Sequence, residues 1–244
     1  KVFTETFARG AAQSRPMFAP EGLGTALVSP ALTKLAAQGV EITYRAPLAA
    51  ISQEGSAVTG LRFTDGRDVP IAANDRVVIA LPPARLRTVL PEIDPPGDAH
   101  AILNAHFVVD PALIATAPPL LGVLSSKTHW IFTRGDVVSL TISAADQMDV
   151  LGGDREALLQ TLWAETRHAL GLPDRAFVAG RVLTERRATF DQSPAGVAKR
   201  PNARTQLVNM FLAGDATQTG LPATIEGAIR SGETAARLAL GRAA

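Results

Sequence analysis

The chain has 244 residues, 46% hydrophobic and 19% charged, and its 24 Lys plus Arg against 23 Asp plus Glu leave a net charge of +1. That makeup suits a globular protein with a sizeable core, forming one large domain or two modest ones, and no basic face is available for nucleic acid. With no cysteine, disulfides, thiolate metal sites and a cysteine nucleophile are excluded, and the four histidines lack metalloprotease spacing, so no metal is expected.

In chain order, the first ten residues, KVFTETFARG, hold no apolar stretch of signal-peptide type and no initiator Met, so the chain is expected to start inside a longer sequence. No apolar run is long enough to span a bilayer. A helix is predicted from about Thr25 to Gln38, with Leu27, Leu32, Leu35 and Ala36 near one face and Gly39 as its stop. The alternating, β-rich Val40–Arg45 reads as a strand. Three short strands, LAAIS, AVTGLRF and RDVPIA, follow as a meander turned at Glu54-Gly55-Ser56 and Asp65-Gly66. Val77–Leu81, apolar throughout and closed by two prolines, reads as a strand of a parallel sheet buried on both faces.

From Ala84 to about Pro201 the prolines multiply and ILNAHFVVD, THWIFTR, VVSLTIS and AGRVLTERRATF read as antiparallel strands. Between them lies an amphipathic helix capped near Asp154, with Leu158, Leu159, Leu162, Trp163 and Leu170 on its inner face.

The segment FLAGDATQTGLPATIEGAIRSG combines features that packing alone does not require. An apolar strand at about Val208–Ala213 ends on Gly214, where backbone can turn sharply or approach another group, and Asp215 projects a carboxylate from the strand's carboxyl end. A helix beginning near Ala223 or Thr224 presents its unpaired N–H groups beside that carboxylate. Together they suit a ligand with both hydroxyls and electron-rich oxygens. Within the helix, Gly227, Ser231 and Ala235 form one ridge and Ala228, Gly232 and Ala236 the next, as close packing against another backbone would require.

The residues Asn209–Leu240, NMFLAGDATQTGLPATIEGAIRSGETAARLAL, resemble the C-terminal flavin-binding segment of the flavin-containing amine oxidase and phytoene desaturase superfamily. More narrowly, this stretch with ERRATFDQSP, RPNARTQLVN and ILNAHF is similar to the squalene-associated FAD-dependent desaturases, or hydroxysqualene dehydroxylases. The resemblance implies an α/β plus α+β fold: an incomplete FAD-binding Rossmann-like domain of the two-dinucleotide-binding-domain type, with an inserted substrate domain containing an antiparallel sheet. Residues 1–84 and 201–244 would form the FAD-binding part and 85–200 the substrate domain. It implies FAD as cofactor, with Gly214 and Asp215 at its ribityl chain. Thr219, Gly220, Leu221, Pro222, Ala223, Thr224 and Ile225 would border the flavin ring, and Leu48 and Pro82 the adenine side. Where the family commonly has Trp after Gly-Asp, this chain has Ala216, which leaves the flavin edge more open.

The pyrophosphate fingerprint of such proteins is absent: GLGTAL at Gly22–Leu27 has only Gly-x-Gly and follows no strand. Exposed apolar surface is therefore expected, with self-association or pairing with a separate N-terminal segment. By resemblance the reaction is reductive removal of a hydroxyl from a long isoprenoid, in a cytoplasmic or membrane-peripheral protein. Phe107, Leu120, Leu121, Trp130, Ile131 and Phe132 are candidates to line the apolar tunnel, and His106 and Glu185 to supply a proton. The alternatives are a carotenoid-type desaturase or amine oxidase, the latter disfavoured by 5% aromatics, and a cofactor-free module that needs a partner.

Overall fold

A computed structural model describes residues 2–15, 17–97 and 99–241; the outer ends of the expected domain ranges, Lys1 and Ala244, lie outside the described residues. The chain divides into two compact units, residues 1–97 with 192–244, and residues 98–191.

The first unit opens with single-turn helices α1 (Val2–Glu5) and α2 (Ala11–Ser14). A π-helical turn at Gly24–Val28 then runs into α3 (Ser29–Ala37). Gly39 ends that helix at φ +73°, the left-handed backbone that glycine adopts without strain, and the Val40 N–H closes onto the Leu35 carbonyl at 3.0 Å. None of the residues of α3 is buried, so the expected apolar face stays uncovered. The strand expected at Val40–Arg45 does not form: the segment is irregular, Tyr44 is 69% exposed and Arg45 sits at φ +55°. Alternation makes a strand only where a neighbour takes its backbone hydrogen bonds, and no described strand pairs here.

The meander forms as β1 (Leu48–Glu54), β2 (Ala57–Phe63) and β3 (Asp68–Pro70), antiparallel in that order. β4 (Val77–Ile79) and α4 (Pro83–Val89) follow. Val77 and Ile79 are buried while Val78 is 44% exposed, so the strand is covered on one face rather than on both.

The second unit is one sheet and one long helix: β5 (Ala99–Val108), β6 (Leu120–Gly122), β7 (Trp130–Arg134), β8 (Val137–Ser143), α5 (Arg155–Leu170) and β9 (Ala179–Phe190). The five strands are antiparallel in the order β6-β7-β8-β5-β9. The Asp154 side chain accepts from the Glu156 N–H to cap α5, and Gly171 at φ +65° ends it. Leu159, Leu162 and Trp163 of α5 join Leu103, Phe107, Ile131, Val138, Leu140 and Ile142 of the sheet in one core. Phe107 sits 5.1 Å from Trp163 and 5.2 Å from Phe177, ring centre to ring centre.

The chain returns to the first unit through α6 (Pro194–Ala198), β10 (Met210–Leu212) and α7 (Ile225–Ala239). β10 pairs parallel with β4, Leu212 opposite Ile79. Asn209, buried just before β10, exchanges two hydrogen bonds with the Val58 backbone at 2.8 and 2.9 Å, joining the meander to the parallel pair. Among the described residues no helix is long and apolar enough to cross a membrane.

Candidate functional site

Because β4 and β10 run parallel with Ile79 opposite Leu212, Pro82 and Asp215 each leave the same end of the pair three residues further on. This is the carboxyl end, where open α/β sheets bind ligands. Gly214 takes φ +115°, and a Cβ built on it would meet nothing within 4 Å. Its conformation therefore requires glycine while its outer side is open. Its N–H donates to the Ser231 Oγ at 3.0 Å, and its carbonyl accepts from the Thr217 hydroxyl at 2.8 Å. Thr217 and Ser231 are 2.6 Å apart and buried, so the turn is locked from the protein side.

Arg200 holds the rest of the loop. Its side chain donates to the Leu221 carbonyl at 2.6 Å, and to the Asp215 carbonyl and Thr219 hydroxyl, each at 2.8 Å. Burial lowers the Arg200 pKa from the ordinary arginine value, and the Asp215 charge opposes that shift. Sequence reasoning missed this residue. It lies in the stretch RPNARTQLVN, yet nothing in periodicity or spacing marks a lone Arg before a proline as the clamp of a loop some 20 residues on.

The expected ring-bordering residues divide by what they do here. Thr219 also accepts from the Leu221 N–H, Gly220 sits at φ +69°, and Leu221 is buried. The Ala223 N–H is taken by the Gln192 side chain at 2.8 Å, and the Thr224 hydroxyl caps α7 through the Gly227 N–H at 3.1 Å. Pro222 and Ile225 remain exposed. Leu48 and Pro82 are linked by Arg85, whose N–H bonds the Pro82 carbonyl and whose guanidinium bonds the Leu48 carbonyl, both at 2.9 Å. The Leu48 side chain is itself buried among the core residues.

Within α7 the two small-residue ridges differ. Gly227, Ser231 and Ala235 are buried, and a Cβ on Gly227 would stand 3.0 Å from the Pro222 carbonyl oxygen. The Gly232 Cβ position is open space. Close packing explains the first ridge only.

The Asp215 carboxylate makes no side-chain hydrogen bond among the described residues. An acceptor-only group at an open glycine turn fits a hydroxyl-bearing chain such as the ribityl of a flavin. Ala216 is buried. Among the described residues no cluster of three His, Asp or Glu could hold a metal.

In the second unit, strand alternation separates the expected tunnel residues. Phe107 and Ile131 lie fully buried in the core, with Leu121 packed against it. Trp130 and Phe132 are exposed on the opposite face, and Leu120 stands beside Phe132 in register there. His106 belongs to that face, half-buried, its Nδ1 2.8 Å from the Ser139 Oγ. Burial, with the Arg134 and Arg181 charges adding to it, lowers its pKa below the ordinary imidazole value. Glu185 is exposed, accepts from the Arg187 N–H at 3.0 Å and stands opposite Ile102. Four residues along β5 separate that position from His106, about 13 Å of strand, so the two expected proton donors are not brought together.

The family described as "Flavin containing amine oxidoreductase" matches residues 11–240. The hydroxysqualene dehydroxylase of Zymomonas mobilis is 39% identical over 239 residues, covering 98% of this chain and 56% of that protein. The hydroxysqualene dehydroxylase of Rhodopseudomonas palustris is 39% identical over 244 residues, covering 99% and 57%. The chain thus spans little more than half the length of the curated relatives it matches. Among solved structures, a putative protoporphyrinogen oxidase from Exiguobacterium sp. 255-15 aligns with a TM-score of 0.64 at 14% identity, over 95% of this chain and 55% of that one. That likeness concerns the fold.

Proposed function

The chain belongs to the flavin containing amine oxidoreductase family, and from that premise we propose that it is the flavin- and substrate-bearing part of an FAD-dependent oxidoreductase acting on a hydroxylated isoprenoid, as a hydroxysqualene dehydroxylase does. The observation that carries this reading is the Asp215 carboxylate, which makes no side-chain hydrogen bond among the described residues, at the open Gly214 turn where the parallel pair ends. Asp215 would hold the ribityl hydroxyls, the Thr219–Ile225 loop would border the ring, and the Leu48–Pro82 side would meet the adenine. Residues 1–84 with 201–244 would serve the cofactor and 85–200 the substrate. Reduced flavin held there would supply the hydride for replacing a substrate hydroxyl, which would leave as water. The chain's own share is to hold that cofactor and to bind and orient an apolar substrate.

Exposed apolar side chains on the first unit, among them Phe3, Phe7, Phe18, Leu23 and Val28, support pairing with a further segment or a second copy, and a membrane-peripheral site suits the lipid substrate. The test of the flavin reading is an FAD titration of the 244-residue chain, followed by flavin fluorescence. Micromolar binding lost in Asp215→Ala is the expected result. Binding untouched by that substitution would overturn the assignment of Asp215.

A further inference from the structure

The outward face of the five-stranded sheet has a definite pattern. Its rows run Leu120–Phe132–Ser139–His106–Arg181 and Gly122–Trp130–Thr141–Asn104–Leu183 across the paired strands. At the centre of each row is a hydrogen-bonded polar pair: His106 with Ser139, and Asn104 with Thr141, whose hydroxyl donates to the Asn104 Oδ1 at 2.8 Å. To one side lie Leu120, Phe132 and Trp130, and the far end of the second row carries Leu183. A Cβ on Gly122 would meet the Trp130 ring at 3.1 Å, so the indole lies across that glycine. Trp130, Phe132 and Leu183 are 47%, 38% and 42% exposed.

The four residues are half-buried, where each pair satisfies one polar group on either side, and a purely hydrocarbon ligand would gain nothing from them. Each pair nevertheless keeps one further hydrogen-bonding nitrogen: among the described residues neither the His106 Nε2 nor the Asn104 Nδ2 has a partner. In the tautomer in which Ser139 donates to the Nδ1 of a neutral ring, the proton sits on Nε2, and Asn104 Nδ2 is a donor by nature. Two neutral donors between apolar side chains call for an uncharged oxygen acceptor on a hydrocarbon.

We propose that His106, positioned by Ser139, and Asn104, positioned by Thr141, form a hydroxyl-recognition site that selects isoprenoid alcohols over the corresponding hydrocarbons, with Trp130 and Phe132 holding the chain. This deepens the substrate reading given above and rests on it. His106 here is a hydrogen-bond donor to the substrate oxygen. It is not assigned the protonation of the leaving group.

The experiment exploits the two tryptophans, since Trp163 is buried in the core and Trp130 is exposed. The 244-residue chain is titrated with farnesol, with farnesene as its hydroxyl-free counterpart and with farnesyl diphosphate, reading Trp130 emission against a Trp130→Phe control. Farnesol should bind saturably and about fivefold or more tighter than farnesene, the worth of one neutral hydrogen bond. His106→Phe and, separately, Ser139→Ala should erase that preference while farnesene binding persists. The small Ser139→Ala change guards against misfolding, with unaltered Trp163 emission as the check. Equal affinity for alcohol and hydrocarbon, or a preference that survives both variants, overturns the proposal. So does tightest binding to the diphosphate with steep salt dependence, which would assign the face to Arg134 and Arg181 as an anion site. The FAD titration reads the other unit. FAD binding without alcohol preference removes this site and leaves the flavin reading, and the reverse result removes the flavin reading and leaves the site.

Discussion

The second unit covers its own apolar face; the first leaves much of its apolar surface in solvent. In the second, the inward residues of the sheet and the inner stripe of α5 meet in a single core whose central side chains, Phe107, Ile131, Leu140 and Leu162, have no exposure at all. In the first, α3 buries nothing, Val78 is open on the parallel pair, and Ile225 and Ile229 of α7 are about half exposed. It has a core of its own around Val58, Ile79, Met210 and Leu212, and to this adds polar clamps, namely Arg200 across the 214–222 loop and Asn209 between meander and strand. Burial and buried hydrogen bonds are thus unequally divided, and substitutions should act through different physics in each unit.

The largest effect should come from the core of the second unit. Phe107→Ala is expected to destabilise it by about 3–5 kcal/mol, through lost transfer energy and the cavity left behind. Leu35→Ala on α3 should cost no more than about 0.5 kcal/mol. Denaturant unfolding followed by Trp163 fluorescence and by far-UV circular dichroism tests the contrast, and equal losses would break it. Next comes Arg200→Met, which strands three acceptors and should cost about 3 kcal/mol, since hydrogen bonds from a charged donor carry most of that loop. Limited proteolysis should then cut first within 214–222; an unchanged cleavage pattern would mean the loop is held otherwise.

The two helical glycines of α7 sharpen the comparison further because they should differ in sign. Gly227→Ala forces a methyl onto the Pro222 carbonyl and should lose about 1 kcal/mol despite better helix propensity. Gly232→Ala meets open space and should gain about 0.5–1 kcal/mol. Thermal melts of both variants suffice, and two losses would show that the second ridge is packed after all.

The smallest effect is a pH dependence. Because the folded His106 pKa lies below the ordinary value, the unfolded chain takes up that proton first as pH falls. His106 therefore contributes stability that is present above about pH 6.5, the ordinary imidazole value, and is lost as pH drops toward the folded pKa. His106→Gln should flatten that part of the stability profile. An imidazole NMR titration with a midpoint above 6.5 would reverse the sign.

Much of this organisation is written in short-range pattern. The cap and stop of α5, the hairpin turns of the meander and β9, read as Ala179–Phe190 and found there, rest on residues close in sequence, so propensity and turn chemistry were enough. In β5 the alternation of Leu103, Ala105 and Phe107 with Asn104 and His106 even assigns the faces. In β7 the apolar run Trp130-Ile131-Phe132 does not; only its register against β8 decided that Ile131 goes inward and the two aromatics outward. Val40–Arg45 had the right residues for a strand and, among the described residues, no partner strand to make it one. The Gly214-Asp215 turn was legible because its chemistry is local, whereas Arg200, Asn209 and Ser231 act on groups 14 to 151 residues away in sequence. The sequence by itself determined the periodicities, the caps and the unusual strand end. The tertiary structure alone decided which apolar face was covered and which distant polar group held each loop, because both depend on what the fold brings within a few ångströms.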